Sequence, residues 1–262
     1  MRKISFLLIV SALLFSVSSC KKEKQAVADV NPDLAKLEIV LKNVSPECRD
    51  AIRPGNTQGF LDALKKVLLS DSVATSSSAG VNDKLKLFVL CDREHPVSEL
   101  YVPTELVTLQ INQYYNICSD SLKLKKTAEK SLRRMGEAAR LENLTLIVNS
   151  AYRSYAEQKT VYDERKQQSL PCFTDDVPGT SEHQTGYAVD FLDSSENVKK
   201  WLSENAHKFG WSMTYSSETE YNPLHYRYIG EEACKFQRLW FRNSQNLMLE
   251  FISEWRKVKT EN

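Results

Sequence analysis

Apolar side chains recur at helical spacing early in the chain and again near its end, and between those stretches they alternate with polar ones in short runs. Leu34, Leu37, Leu41 and Val44 share one face of a helix predicted over Pro32 to Val44, and Phe60, Leu64, Val67 and Leu68 share one face of a second over Thr57 to Ser70. A long helix is predicted over Ser121 to Asn143, with Leu132, Met135 and Ala139 on one face and most charges opposite. Tyr155 to Gln168, Glu196 to Lys208 and Glu231 to Lys257 read as helices, the last broken near Asn243. Leu85 to Cys91, Leu144 to Asn149, Tyr187 to Leu192, Trp211 to Tyr215 and His225 to Ile229 read as strands. The fold class is therefore α+β, with helices packed on a small antiparallel sheet. Trp240, Phe241, Leu247, Leu249, Phe251 and Trp255 are assigned to the core.

The N-terminus stands apart from this pattern. Arg2 and Lys3 precede an apolar run, Ile4 to Val17, that is too short to span a bilayer and ends in Val17-Ser18-Ser19-Cys20. It resembles a bacterial lipoprotein signal: residues 1–19 are removed, Cys20 is lipidated, and the protein is held at the cell envelope, facing the periplasm or exterior, through that lipid alone. Residues 20–83 are expected to form a tether and an N-terminal helical segment, with a Ser-rich linker from Asp71 to Asp83, and residues 84–262 the main domain. Lys plus Arg number 35 against 34 Asp plus Glu, so no whole-chain field draws nucleic acid. Of the six cysteines, five follow Cys20, an odd number that leaves at least one unpaired within the chain, and no CxxC pair suggests a thiolate metal site.

With four histidines in the chain, each context can be weighed. His183 lies in a loop that Gly186 turns into a strand, where Ala188 and Asp190 share the face opposite Tyr187, Val189 and Phe191. His225 begins a second strand among aromatics. Two histidines and a carboxylate can bind Zn²⁺ with a fourth position left for water, as catalytic zinc requires. On spacing alone the same residues also fit ordinary hydrogen-bonded strand positions. His207 and His95 read as a packing or surface residue and a turn residue.

Three ordered motifs carry a family resemblance. Ser150-Ala151-Tyr152-Arg153-Ser154 with Gln158, then Pro178 through Asp190, then His225-Tyr226-Arg227-Tyr228-Ile229-Gly230, resemble the VanY-type D-alanyl-D-alanine carboxypeptidases, zinc metallopeptidases that share a fold with lysostaphin and the hedgehog signalling domain. The resemblance runs from about Lys84 to Trp240 and leaves out the N-terminal helices. It implies His183, Asp190 and His225 as Zn²⁺ ligands, Arg153 at the scissile carbonyl oxygen, Gln158 and Ser181 holding the substrate's terminal residue, and a peptidoglycan stem peptide as substrate.

One position departs from the pattern. The family places a proton-accepting Glu three residues before the last histidine ligand, and this chain has Asn222. A carboxamide hydrogen-bonds water but accepts no proton near neutral pH. Glu220, two residues earlier, would share that side of an extended segment and is the candidate substitute. Two readings stay open: a zinc carboxypeptidase that trims a terminal D-amino acid, or a catalytically impaired relative that binds zinc and either peptidoglycan peptides or an envelope partner.

Overall fold

The computed structural model describes residues 31–52, 55–76, 87–169, 177–192, 195–214 and 224–259. The leader segment, Cys20, Cys172, Glu220 and Asn222 lie outside the described residues.

Helix starts follow from side chains that accept the free N–H groups of a first turn. Asn31 caps α1 (Pro32–Asn43) by accepting from the Asp33 N–H at 3.1 Å, and Ser45 caps α2 (Pro46–Ala51) by accepting from the Cys48 N–H at 3.1 Å. Both begin with proline, whose missing N–H costs nothing at that position. The short α2 went unpredicted. α3 spans Thr57–Ser76, running past the expected end at Ser70 into the stretch read as a linker. It continues because Asp71 is buried, where its carboxylate accepts from the Leu87 N–H at 2.8 Å and from the Arg256 guanidinium, partners remote in sequence.

β1 (Leu106–Thr108) pairs antiparallel with β3 (Lys123–Lys125). That pairing removes the first residues from the predicted long helix, so α4 spans Lys126–Leu141. The larger sheet contains β2 (Tyr115–Ile117), β4 (Leu146–Ser150), β5 (Ala188–Phe191), β6 (Trp211–Met213) and β7 (His225–Tyr228), in the order β2-β4-β5-β7-β6. Its pairings are antiparallel except that β2 lies parallel to β4, with α4 in the crossover between them. The α+β architecture is thus as predicted, with one parallel pair added. α4 buries Ala128, Leu132, Met135 and Ala139, and comes close to the chain at Tyr114. A Cβ on Gly136 would stand 2.2 Å from the Tyr114 carbonyl oxygen, so only glycine permits that approach.

Residues 87–91 form a turn and irregular chain instead of the expected strand. Leu87 and Phe88 are buried, which accounts for the apolar pattern. Their carbonyls go to arginines instead of a ladder: Leu87 O and Val89 O each accept from Arg227 Nη2 at 2.9 Å, and Phe88 O accepts from Arg256 Nη1 at 3.1 Å.

The remaining helices are α5 (Tyr155–Gln167), α6 (Glu196–Asn205), α7 (Glu231–Trp240) and α8 (Gln245–Lys257). The predicted break near Asn243 is present: Arg242 and Asn243 take left-handed φ values of 52° and 64°, and Ser244 caps α8. Phe60 of α3 meets Phe236 and Trp240 of α7 and Phe251 of α8 with ring centroids 5.2–5.3 Å apart. One hydrophobic core therefore runs from the N-terminal helices through α7 and α8 to the sheet. Cys48, Cys91, Cys118 and Cys234 all carry free thiols.

Candidate metal centre

Strand register assembles the site. Asp190 of β5 lies opposite His225 of β7, and Ala188 opposite Arg227, so Asp190, His225 and Arg227 project from one face. His183 reaches the same face from a buried 3₁₀ turn, Glu182–Thr185. Gly186 ends that turn at φ 76°, and a Cβ there would meet Leu106 and Lys125 side chains at 3.2 Å. The predicted donor trio is thereby brought together, with one ligand atom from each of His183, Asp190 and His225 lying within 4.8 Å of the others.

The hydrogen bonds around the trio decide which atoms face inward. His183 Nδ1 lies 2.6 Å from Ala151 O, and because a carbonyl only accepts, Nδ1 carries the hydrogen and Nε2 presents its lone pair. That Nε2 lies 3.2 Å from Asp190 Oδ2. His225 Nε2 lies 3.1 Å from Glu182 Oε2, while its Nδ1 lies 2.8 Å from Asp190 Oδ1. An ionised Glu182 makes Nε2 the donor and turns the Nδ1 lone pair toward Asp190. Three electron-pair donors thus converge in a buried space, an arrangement that a cation between them stabilises. In a chain without metal a proton fills part of that role. Burial alone favours a neutral His225 ring, but its hydrogen bonds to Asp190 and Glu182 outweigh burial and raise its pKa to about 9. Burial likewise opposes charge on Asp190, yet His183 and His225 hold its carboxyl well below the usual range. Two imidazoles and one carboxylate are a donor set that fits zinc.

Arg153 is half-buried next to the His183 turn. It follows β4, its N–H donates to His183 O at 3.3 Å, and the next residue, Ser154, caps α5 in a reciprocal pair with Glu157. Its guanidinium donates to Gln158 Oε1 at 2.7 Å and to Ser150 Oγ at 3.1 Å. Gln158 is fully buried and orients Arg153. Ser181 is buried at the start of the 3₁₀ turn, and its hydroxyl does not cap that turn.

Sequence reasoning assigned no role to Glu182, Arg227, Thr214 or Gln245. Glu182 accepts from Arg227 Nη1 and Gln245 Nε2 at 2.8 Å on one oxygen, and from Thr214 Oγ1 at 2.7 Å and His225 on the other. Burial opposes its charge, but Arg227 and then His225 hold its carboxyl well below the usual range. Arg227 carried a readable signal: two residues after His225 on a strand, it shares that residue's face, where a buried guanidinium demands an acid. Gln245, on another element, gave none. A cavity of about 570 Å³ opens beside Glu182, lined also by Asp92, His95, Thr180, Thr214 and Glu250.

Residues 121–231 match the family model VanY, described as D-alanyl-D-alanine carboxypeptidase. The chain is 27% identical over 207 residues to YodJ of Bacillus subtilis, a carboxypeptidase candidate, covering 70% of this chain and 74% of that one. It is 31% identical over 187 residues to a D-alanyl-D-alanine carboxypeptidase of Enterococcus faecalis, covering 63% of this chain and 66% of that one. Among solved structures, the vancomycin-resistance D,D-dipeptidase VanXYg, in complex with a D-Ala-D-Ala phosphinate analogue, shares the fold at a TM-score of 0.51 and 22% identity, over 63% of this chain and 71% of that one.

Proposed function

We propose, for a chain that belongs to the VanY family of D-alanyl-D-alanine carboxypeptidases, that it removes the terminal D-amino acid from peptidoglycan stem peptides and that zinc is its metal. The observation that carries this reading is the convergence of His183, Asp190 and His225 beside Arg153. Zinc in that cradle would supply Lewis acidity, polarising the scissile carbonyl and acidifying the attacking water.

The chain's own residues supply the rest. His183 and His225 enter with one nitrogen each already committed to Ala151 O and Glu182, so each offers the cradle a defined lone pair. Arg153, fixed by Gln158 and Ser150, presents N–H donors to the carbonyl oxygen as negative charge develops there. Ser181 and Gln158 are assigned to the substrate's terminal residue on the family resemblance, with the buried Gln158 acting through Arg153. Cys20 carries the lipid that holds the protein at the envelope, so Cys20→Ser is expected to release it from the membrane fraction.

Asn222 favours a second reading. Where the family's Glu would take a proton, a carboxamide takes none, and general-base action is typically worth ~10²–10⁴-fold in rate. In that reading the protein binds zinc and stem peptides without turning them over. A D-alanine release assay on the zinc-loaded wild type, the chelated wild type and Asn222→Glu separates the two. Zinc-dependent release by the wild type that Glu220→Ala abolishes establishes the enzyme with a displaced base. No release by the wild type, with release gained in Asn222→Glu, establishes the impaired relative. No release by either protein, with zinc bound, overturns the reading of a D-alanine-releasing enzyme.

A further inference from the structure

We propose that Glu182 is a positioning residue of the metal centre: it holds His225 so that Nδ1 faces Asp190, and Arg227, Gln245 and Thr214 form the cage that holds Glu182 in turn. The inference rests on the zinc reading above.

Glu182 has both oxygens filled, with Arg227 and Gln245 on Oε1 and Thr214 and His225 on Oε2. Two carboxylate oxygens offer about four lone-pair sites, so this acid has little capacity left to take a proton from water, and it is no substitute for the missing base at residue 222. What it does have is geometry. Its neighbour in sequence is the ligand His183, and it bonds the ligand His225 across the strand gap, so one carboxylate ties the ligand-bearing turn to the ligand-bearing strand. Arg227 is fully buried on the same face as His225 and locks the carboxylate from β7, while Gln245 locks it from the first turn of α8. An ion pair serving stability alone needs Arg227 and Glu182 and has no use for the imidazole. The contact to His225 Nε2 sets the tautomer of a metal ligand, and such outer partners typically contribute about 10–100-fold to metal affinity.

The test measures zinc affinity by chelator competition on the full chain, for the wild type and Glu182→Gln, together with long-range proton–nitrogen spectra of the histidine rings in the zinc-loaded wild type. Glu182→Gln is expected to weaken zinc binding about 10–100-fold, and the His225 ring to show a metal-bound Nδ1 and a protonated Nε2. The ring spectrum needs no variant to fold, and a merely structural ion pair would leave it undetermined by Glu182. A folded Glu182→Gln chain with unchanged affinity, or a wild type that binds zinc through His225 Nε2, overturns this proposal and leaves the zinc reading standing. A wild type that binds no zinc overturns both.

Discussion

The sheet face that carries Asp190, His225 and Arg227 and the aromatic core around Phe60 are both buried, yet they are built on opposite principles. Around Phe60 the contacts are ring against ring, from Phe236, Trp240 and Phe251, and need only shape and volume. Around Glu182 the contacts to Arg227, Gln245, Thr214 and His225 are hydrogen bonds of fixed direction. The core makes the protein stable; the network makes a few atoms point one way. Damage to one region is expected to spare the property that the other supplies, except at Arg227, a fully buried charge whose partner is Glu182.

The largest effect is expected from Asp190→Ala, which removes the donor shared by both imidazoles. At a zinc concentration a hundred times the dissociation constant, binding stabilises the wild type by about 2.7 kcal/mol. The variant is expected to retain no stoichiometric zinc and to show no zinc-dependent rise in melting temperature. Phe60→Ala should do the reverse: urea unfolding of the metal-free protein is expected to show a loss of about 3–5 kcal/mol from the emptied aromatic cluster, with zinc affinity unchanged in chelator competition. Arg227→Met should register on both measurements, because it leaves the Glu182 carboxylate buried without its main counter-charge. Removing one partner of a buried pair typically costs about 3–5 kcal/mol, and zinc affinity is expected to fall with it. If Arg227→Met lowers stability and leaves zinc binding untouched, the two regions are separate after all.

Glu157→Gln should give the smallest effect. The Ser154 N–H and then its hydroxyl hold the Glu157 carboxyl below its ordinary range, with partial burial opposing them. A depressed folded pKa means that the contribution is present above the unfolded carboxylate pKa and is lost as pH falls through the folded value. The variant is therefore expected to flatten the acid limb of the stability curve by less than about 1 kcal/mol, because the cap is largely exposed. Denaturant midpoints measured from neutral pH downward check it.

The same contrast explains what could be read from the chain beforehand. The helices of the aromatic core announce themselves by period, and the donor trio by its motifs and the alternation of Ala188 to Phe191. The cage around Glu182 stayed hidden because its members come from a turn, a strand and the first turn of a helix, brought together only by the register of β5 with β7 and the packing of α8. Residues 87–91 misled for a related reason. Their apolar pattern is real, but the carbonyls serve Arg227 and Arg256, and no local signal marks a distant guanidinium as the partner. α3 outran its prediction through Asp71 for the same cause.

Zinc-edge X-ray absorption on the purified full chain, with metal content measured on the same sample, bears most directly on the donor trio. One zinc per chain is expected, with two imidazole nitrogens at about 2.0–2.1 Å and a carboxylate oxygen at about 2.0–2.2 Å. A chain that holds no zinc, or one whose zinc shows sulfur neighbours at about 2.3 Å, would contradict the assignment of His183, Asp190 and His225.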